Sequence, residues 1–169
     1  MGKIGEDLKA VLHRTQGRSM DDLCDQFNHQ NVTNVNAAAT LTPEESGVIV
    51  LGVVGTEQAA GTGFNVYLPA PKRSLWFRFI LGAPSIANNS NAAITVTSTS
   101  DGATTAADIS VGMVEGTGDD NGANVVSGVD ILTFVHNKAT CGDQASYISD
   151  GTNWFVKAKY DVDASMTLA

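Results

Sequence analysis

The amino-acid sequence predicts a mainly β protein: a β-sandwich or jelly-roll-like barrel preceded by a short α-helical N-terminal arm. Three observations predict it. Short runs rich in β-branched and aromatic residues recur from Leu41 onward, turn-rich segments separate them, and helical periodicity is confined to the first 30 residues. The expected division is a helical arm over 1–30, a linker over 31–40 and a β body over 41–169.

In the arm, Ile4, Leu8, Val11 and Leu12 recur at the spacing of one helix face, with Glu6 and Asp7 in the first turn, where they complement the helix dipole. Gly17 breaks this helix. Ser19 can cap a second one, with Asp21 and Asp22 in its first turn and Met20, Leu23 and Phe27 as its apolar ridge. Each helix is about ten residues long, and isolated helices below about a dozen residues are marginal in water. Their apolar faces therefore need a partner, either the β body or another protein. The stretch NHQNVTNVNAAAT over 28–40 reads as a polar linker.

Strands are expected at Val48–Val54, Asn65–Leu68, Leu75–Leu81, Ala93–Thr99, Ile109–Val114 and Val125–Val135. Pro69 and Pro71 stop the second. Between the runs stand GTEQAAGTG, LGAPSIANNSN, TSDGATT and EGTGDDNGA, which carry turn chemistry and no helical period, so a βαβ sheet is not expected. The stretch from Ile131 to Tyr160 reads as strand, loop, strand, turn, strand, with Asp150-Gly151 supplying the positive φ of a tight hairpin. Trp76, Phe77, Phe79, Phe134, Trp154 and Phe155 are the expected aromatic core. Adjacent aromatics such as Trp76 and Phe77 must point to opposite faces of a strand, so one of each pair faces away from that core. A buried second face would suit an oligomer interface, and Trp76 and Phe79 are the residues expected there.

The chain has 169 residues, enough for one domain plus an appendage, and only 17% of them are charged. Its formal charge of −8 argues against a nucleic-acid binder, which needs Lys and Arg to displace counterions from phosphates. No apolar run reaches the roughly 18 residues that span a bilayer, and the N-terminal segment mixes acids where a signal peptide would be apolar. Cytoplasmic synthesis is the expectation, with Cys24 and Cys141 as free thiols.

Motifs for catalysis or cofactors are weak. GTEQAAGTG over 55–63 lacks the Lys and glycine spacing of a phosphate-binding loop. GTGDDNG over 116–122 clusters Asp119, Asp120 and Asn121, yet an EF-hand would need an acid at Thr117 and a bidentate Glu at Gly128. His13, His29 and His136 show no paired ligand spacing, no Ser sits in a nucleophile elbow, and Cys141 has His136 near it without an orienting partner. A carboxylate pair among Asp119, Asp120 and Asp130 is the one arrangement that would serve sugar cleavage. No enzyme activity, metal or cofactor is expected.

Four segments carry a resemblance: LTPEESGVIVLG at 41–52, FNVYLPAPKRSLWFRFIL at 64–81, DILTFVHN at 130–137 and GDQASYISDGTNWFVKA at 142–158. Their order resembles a β-rich module of tailed-phage virion proteins, among them capsid decoration (cement) proteins and fibre-like appendages. The resemblance covers about residues 40–158. It implies a homo-oligomer, expected to be a trimer, on the outer surface of the virion capsid, where it bridges and stabilises subunits of the major capsid protein. The apolar residues of the arm, Ile4, Leu8, Val11, Leu12, Leu23 and Phe27, are the expected anchors, because several modest arm contacts presented together bind far better than one. The alternative is a fibre or receptor-binding module whose loops at 82–92 and 115–124 meet a host-surface glycan.

Overall fold

A computed structural model of the chain describes residues 32–87, 90–99, 109–116, 124–162 and 164–169. The expected helical arm, with Ile4, Leu8, Val11, Leu12, Leu23 and Phe27, lies outside them. Twelve strands follow one another: β1 (Val32–Val35), β2 (Ala39–Thr40), β3 (Gly47–Leu51), β4 (Phe64–Tyr67), β5 (Trp76–Leu81), β6 (Ile94–Thr97), β7 (Ser110–Gly116), β8 (Asn124–Val129), β9 (Ile131–Phe134), β10 (Gln144–Ser149), β11 (Trp154–Tyr160) and β12 (Met166–Leu168). Among the described residues they form a seven-stranded sheet in the order β1-β3-β5-β10-β11-β7-β8 and a five-stranded sheet in the order β12-β9-β6-β4-β2.

From β1 to β7 the chain alternates between the two sheets at every step. Strands two apart in sequence therefore become parallel neighbours: β1 with β3, β3 with β5, β2 with β4 and β4 with β6. A parallel pair needs a crossover connection, and that is usually a helix. Here the strand of the opposite sheet supplies the return path, so parallel pairing arises without helices. This departs from the antiparallel pairing of a jelly roll.

The expected strands appear with shifted ends. The run expected over Val125–Val135 is divided: β8 pairs with β7 in the seven-stranded sheet, whereas β9 pairs with β6 and β12 in the other. Asp130 stands at the switch. Its backbone N–H donates to Ala169 O at 2.9 Å and its carbonyl accepts from Ser98 N at 2.8 Å, so the main-chain groups at the switch stay paired. The stretch expected to be a linker contributes β1 and β2 instead. Its asparagines and threonines hid them, since a short strand can be held by backbone bonds to its neighbours whatever its side chains.

The turn at Asp150–Asn153 joins β10 to β11. Gly151 has φ +103°, but Asp150 does not adopt a positive φ. Instead its Oδ1 accepts from the N–H groups of Thr152 and Asn153, both at 2.8 Å, and these bonds hold its carboxyl below the usual carboxylate range.

Buried residues of both sheets belong to one hydrophobic cluster. Ile49, Phe77, Phe79 and Trp154 come from the larger sheet, and Val66, Ile94, Val96, Leu132 and Phe134 from the smaller. Four rings pack in a closed group: Phe77 on Phe79 and Trp154, and Tyr147 edge-on to Phe79 and Trp154, with centroids 5.7–6.3 Å apart. Trp76 and Phe155, expected in the core, are on the opposite face of their strands. Alternation sends their neighbours Phe77 and Trp154 inward, as expected of one residue in each pair.

Candidate interaction face

The outer face of the larger sheet has an unusual order. In β5, Trp76 and Arg78 point outward, in β10 Ile148, in β11 Phe155, Lys157 and Lys159, and in β7 Val111. Register then decides who meets whom. Ile148 is opposite Trp76 on one side and Phe155 on the other, and Phe155 is opposite Val111. The four make an apolar row at right angles to the strands, exposed by 36% (Trp76), 59% (Ile148), 47% (Phe155) and 38% (Val111). With adjacent strands about 4.8 Å apart, the row is about 14 Å long.

A second row runs beside it, two residues further along each strand: Arg78, Ser146, Lys157 and Met113. A third contains Gln144, Lys159 and Glu115. From Val32 onward the chain has six Lys and Arg residues against thirteen Asp and Glu, yet three of the six, Arg78, Lys157 and Lys159, are on this face with Glu115 as its acid. Lys157 Nζ lies 3.3 Å from Glu115. Arg78 Nε donates to Gln144 Oε1 at 3.0 Å, a neutral acceptor, and neither Arg78 nor Lys159 is ion-paired among the described residues. A shallow depression of about 220 Å³ opens between Arg78, Gln144, Ser146, Lys157 and Lys159.

The face is held from below and from its edge. The ring cluster of Phe77, Phe79, Tyr147 and Trp154 belongs to the inner side of the same strands, so the outer side chains rise from a backbone fixed by close packing. At the edge, Ser46 follows a short 3-10 turn, Pro43–Glu45, in which Glu45 Oε2 accepts from Thr42 N at 2.8 Å. Ser46 Oγ then donates to Trp76 O at 2.7 Å and accepts from Trp76 N at 3.2 Å. The Leu-Thr-Pro-Glu-Glu-Ser-Gly segment thus positions Trp76.

No protein-family model, curated protein or solved structure matches the chain.

Of the residues expected at an oligomer interface, Trp76 lies in the exposed row. Phe79 does not. It is fully buried within its own chain, because it has the inward parity of β5, and it cannot reach a neighbour. Among the carboxylates considered for sugar cleavage, Asp119 and Asp120 lie outside the described residues. Asp130 is buried, with Oδ1 accepting from Ile109 N at 3.1 Å, beside a contact between the Ser98 and Ser110 hydroxyls at 2.5 Å. That position braces the strand switch. Cys141 is an exposed free thiol, and Cys24 lies outside the described residues. Val111, Ile148, Lys157 and Lys159 were not singled out from sequence, although the alternation in WFVKAKY already puts Phe155, Lys157 and Lys159 on one side of a strand.

Proposed function

We propose that this chain is a non-enzymatic capsid decoration protein of a tailed phage, with a β-sandwich body that binds the outer capsid surface and bridges subunits of the major capsid protein. The observation that carries the reading is the exposed Trp76–Ile148–Phe155–Val111 row, a set of large apolar side chains that water solvates poorly and that a partner would cover. The resemblance of the four sequence segments supports the virion assignment. The row faces the shell. Two copies meeting face to face would bring Arg78, Lys157 and Lys159 against their equivalents, and like charges oppose that pairing. We assign Trp76 to the shell contact and the homotrimer, which the resemblance implies, to another part of the body.

Co-sedimentation with expanded capsids tests this. The full-length chain should bind saturably and raise the capsid melting temperature. The double variant Ile148→Thr/Phe155→Thr, which places a residue of good strand propensity at both positions, should lose at least tenfold in affinity, since fully burying each apolar side chain is worth about 1.5–3 kcal/mol. Removal of residues 1–30 reports separately on the arm. Unchanged capsid binding by the double variant would reject this face, and binding to host polysaccharide without capsid binding would move the protein to the appendage class.

A further inference from the structure

We infer that the outer face of the larger sheet is built to receive an acidic amphipathic helix of a partner protein, laid along the Trp76–Ile148–Phe155–Val111 row. This rests on the proposal that the face is the one covered on assembly and adds the chemistry of the occupant.

Spacing is the first argument. The row advances by one strand separation per residue, about 4.8 Å. An α-helix advances 1.5 Å per residue, so side chains three or four positions apart recur every 4.5–6 Å along one face. A helix lying across the strands therefore sets an apolar residue near each member of the row at positions i, i+3, i+7 and i+10. An added β-strand would not use the row in this way, because it pairs at a sheet edge, and β5, β10, β11 and β7 are all interior to the sheet.

Charge is the second. Arg78, Lys157 and Lys159 lie on one side of the row, whereas the other charged residues from Val32 onward, Glu115 aside, are three basic and twelve acidic. The nearest basic positions are two residues along the strands from the apolar ones, about 6.6 Å away. That matches the offset between the apolar seam of a helix and its flanking positions. Carboxylates there would meet Arg78, which is not ion-paired among the described residues, and share Lys157 with Glu115, while Lys159, two residues further along β11, adds its charge from the next row. The excess positive charge also steers an acidic segment toward this face and away from the rest of the body.

An anionic glycan would satisfy the basic residues but not the row. Sugars stack on flat aromatic rings, and here aliphatic Ile148 and Val111 alternate with Trp76 and Phe155. A continuous mixed aliphatic and aromatic line fits Leu- or Met-type side chains of a helix.

Trp76 provides the readout, since it is exposed while Trp154 is buried. The full-length protein is titrated with a synthetic helical peptide of about fourteen residues. It carries Leu at i, i+3, i+7 and i+10, Glu on one flank and Ala elsewhere. A second peptide with Lys in place of Glu is the control. The Glu peptide should shift Trp76 emission to the blue and bind at least tenfold more tightly than the Lys peptide, with an affinity that falls as salt is raised. Arg78→Glu/Lys159→Glu should invert that preference. Equal binding of both peptides, self-association with rising protein concentration in place of peptide binding, or a response to dextran sulfate alone would each overturn the inference.

The same charge variant in the capsid assay separates the two proposals. Capsid binding that survives Arg78→Glu/Lys159→Glu, together with failure of the Glu peptide, would leave the face as the capsid contact and remove the acidic helix. Peptide binding as expected, with capsid binding unaffected by Ile148→Thr/Phe155→Thr, would keep the helix site and remove the capsid reading.

Discussion

Ile148 and Phe155 stand directly opposite each other on β10 and β11, with both side chains turned to solvent. Cross-strand contact between them contributes only about 0.2–1 kcal/mol. About half of each residue's surface remains in water. Replacing both with Thr puts a β-branched residue, which suits a pleated strand, at each position, so the isolated protein should change in stability by less than about 1 kcal/mol. Urea denaturation checks this, and a larger loss would mean that the row contributes to the fold itself.

Asp143 has a different weight. It is buried, and its carboxylate joins three segments: Oδ2 accepts from Thr140 N at 3.1 Å and Ser165 Oγ at 2.9 Å, and Oδ1 accepts from Asp161 N at 3.2 Å. Its carbonyl also accepts from Leu81 N at 2.8 Å. Asp143→Ala should strand the three donors to the carboxylate and cost about 3 kcal/mol, visible as a melting temperature lower by about 6–12 °C. Asp143→Asn should lose less, because one oxygen remains. A melting temperature within a degree of the parent for Asp143→Ala would show that water replaces the carboxylate.

Tyr147 and Trp154 share a face of the ring cluster, and neither the Tyr147 hydroxyl nor Trp154 Nε1 has a hydrogen-bond partner among the described residues. Burial, assisted by the negative charge of Asp130, pushes the Tyr147 phenol far above its ordinary value. The unfolded chain releases this proton near pH 10, about where a free phenol does, while the folded protein keeps it. The associated stability is thus fully present below about pH 10 and declines as pH rises beyond it. Tyr147→Phe should be neutral or slightly stabilising at pH 7 and should lose less stability than the parent between about pH 10 and 11. Denaturation series at the two pH values compare them. A loss above about 1 kcal/mol at pH 7 would indicate that the hydroxyl is satisfied.

How much of this was legible in the sequence depends on which physical rule is asked. Period-two alternation gave the existence of β3 to β7 and of the β10–β11 hairpin, because burial on one face forces that pattern on a strand. It also implied that Trp76 and Phe77, or Trp154 and Phe155, must diverge. Alternation carries no information on neighbours, however. The parallel pairs and the break at Asp130 come from backbone pairing, and so does the alignment of Ile148 with Trp76 and Phe155. The candidate face was therefore present in the sequence only as separate exposed residues. Phe79 shows the same limit, since aromatic character alone suits an interface while its parity buries it.

Gly112 connects the fold to that face. It lies on β7 beside Val111 and pairs with Val156 of β11, and a Cβ built on it would come within 2.1 Å of Val156 Cγ1 and 2.2 Å of Val156 O. The side-chain atom could rotate away, but the carbonyl belongs to a strand between two partners and has no such freedom. Gly112→Ala should consequently force β7 away from β11, at a cost of about 3 kcal/mol or more, beyond the usual range for one added methyl group. Hydrogen exchange locates the damage. Amides of β7 and β8 should lose protection, while those shared by β5 and β10 retain it, because the ring cluster of Phe77, Phe79, Tyr147 and Trp154 does not include β7. With β7 displaced, Val111 leaves the row, and partner binding should weaken even at temperatures where the rest of the sheet stays folded. Parent-like stability and protection in Gly112→Ala would instead mean that β7 and β11 separate readily, and that the row ends at Phe155.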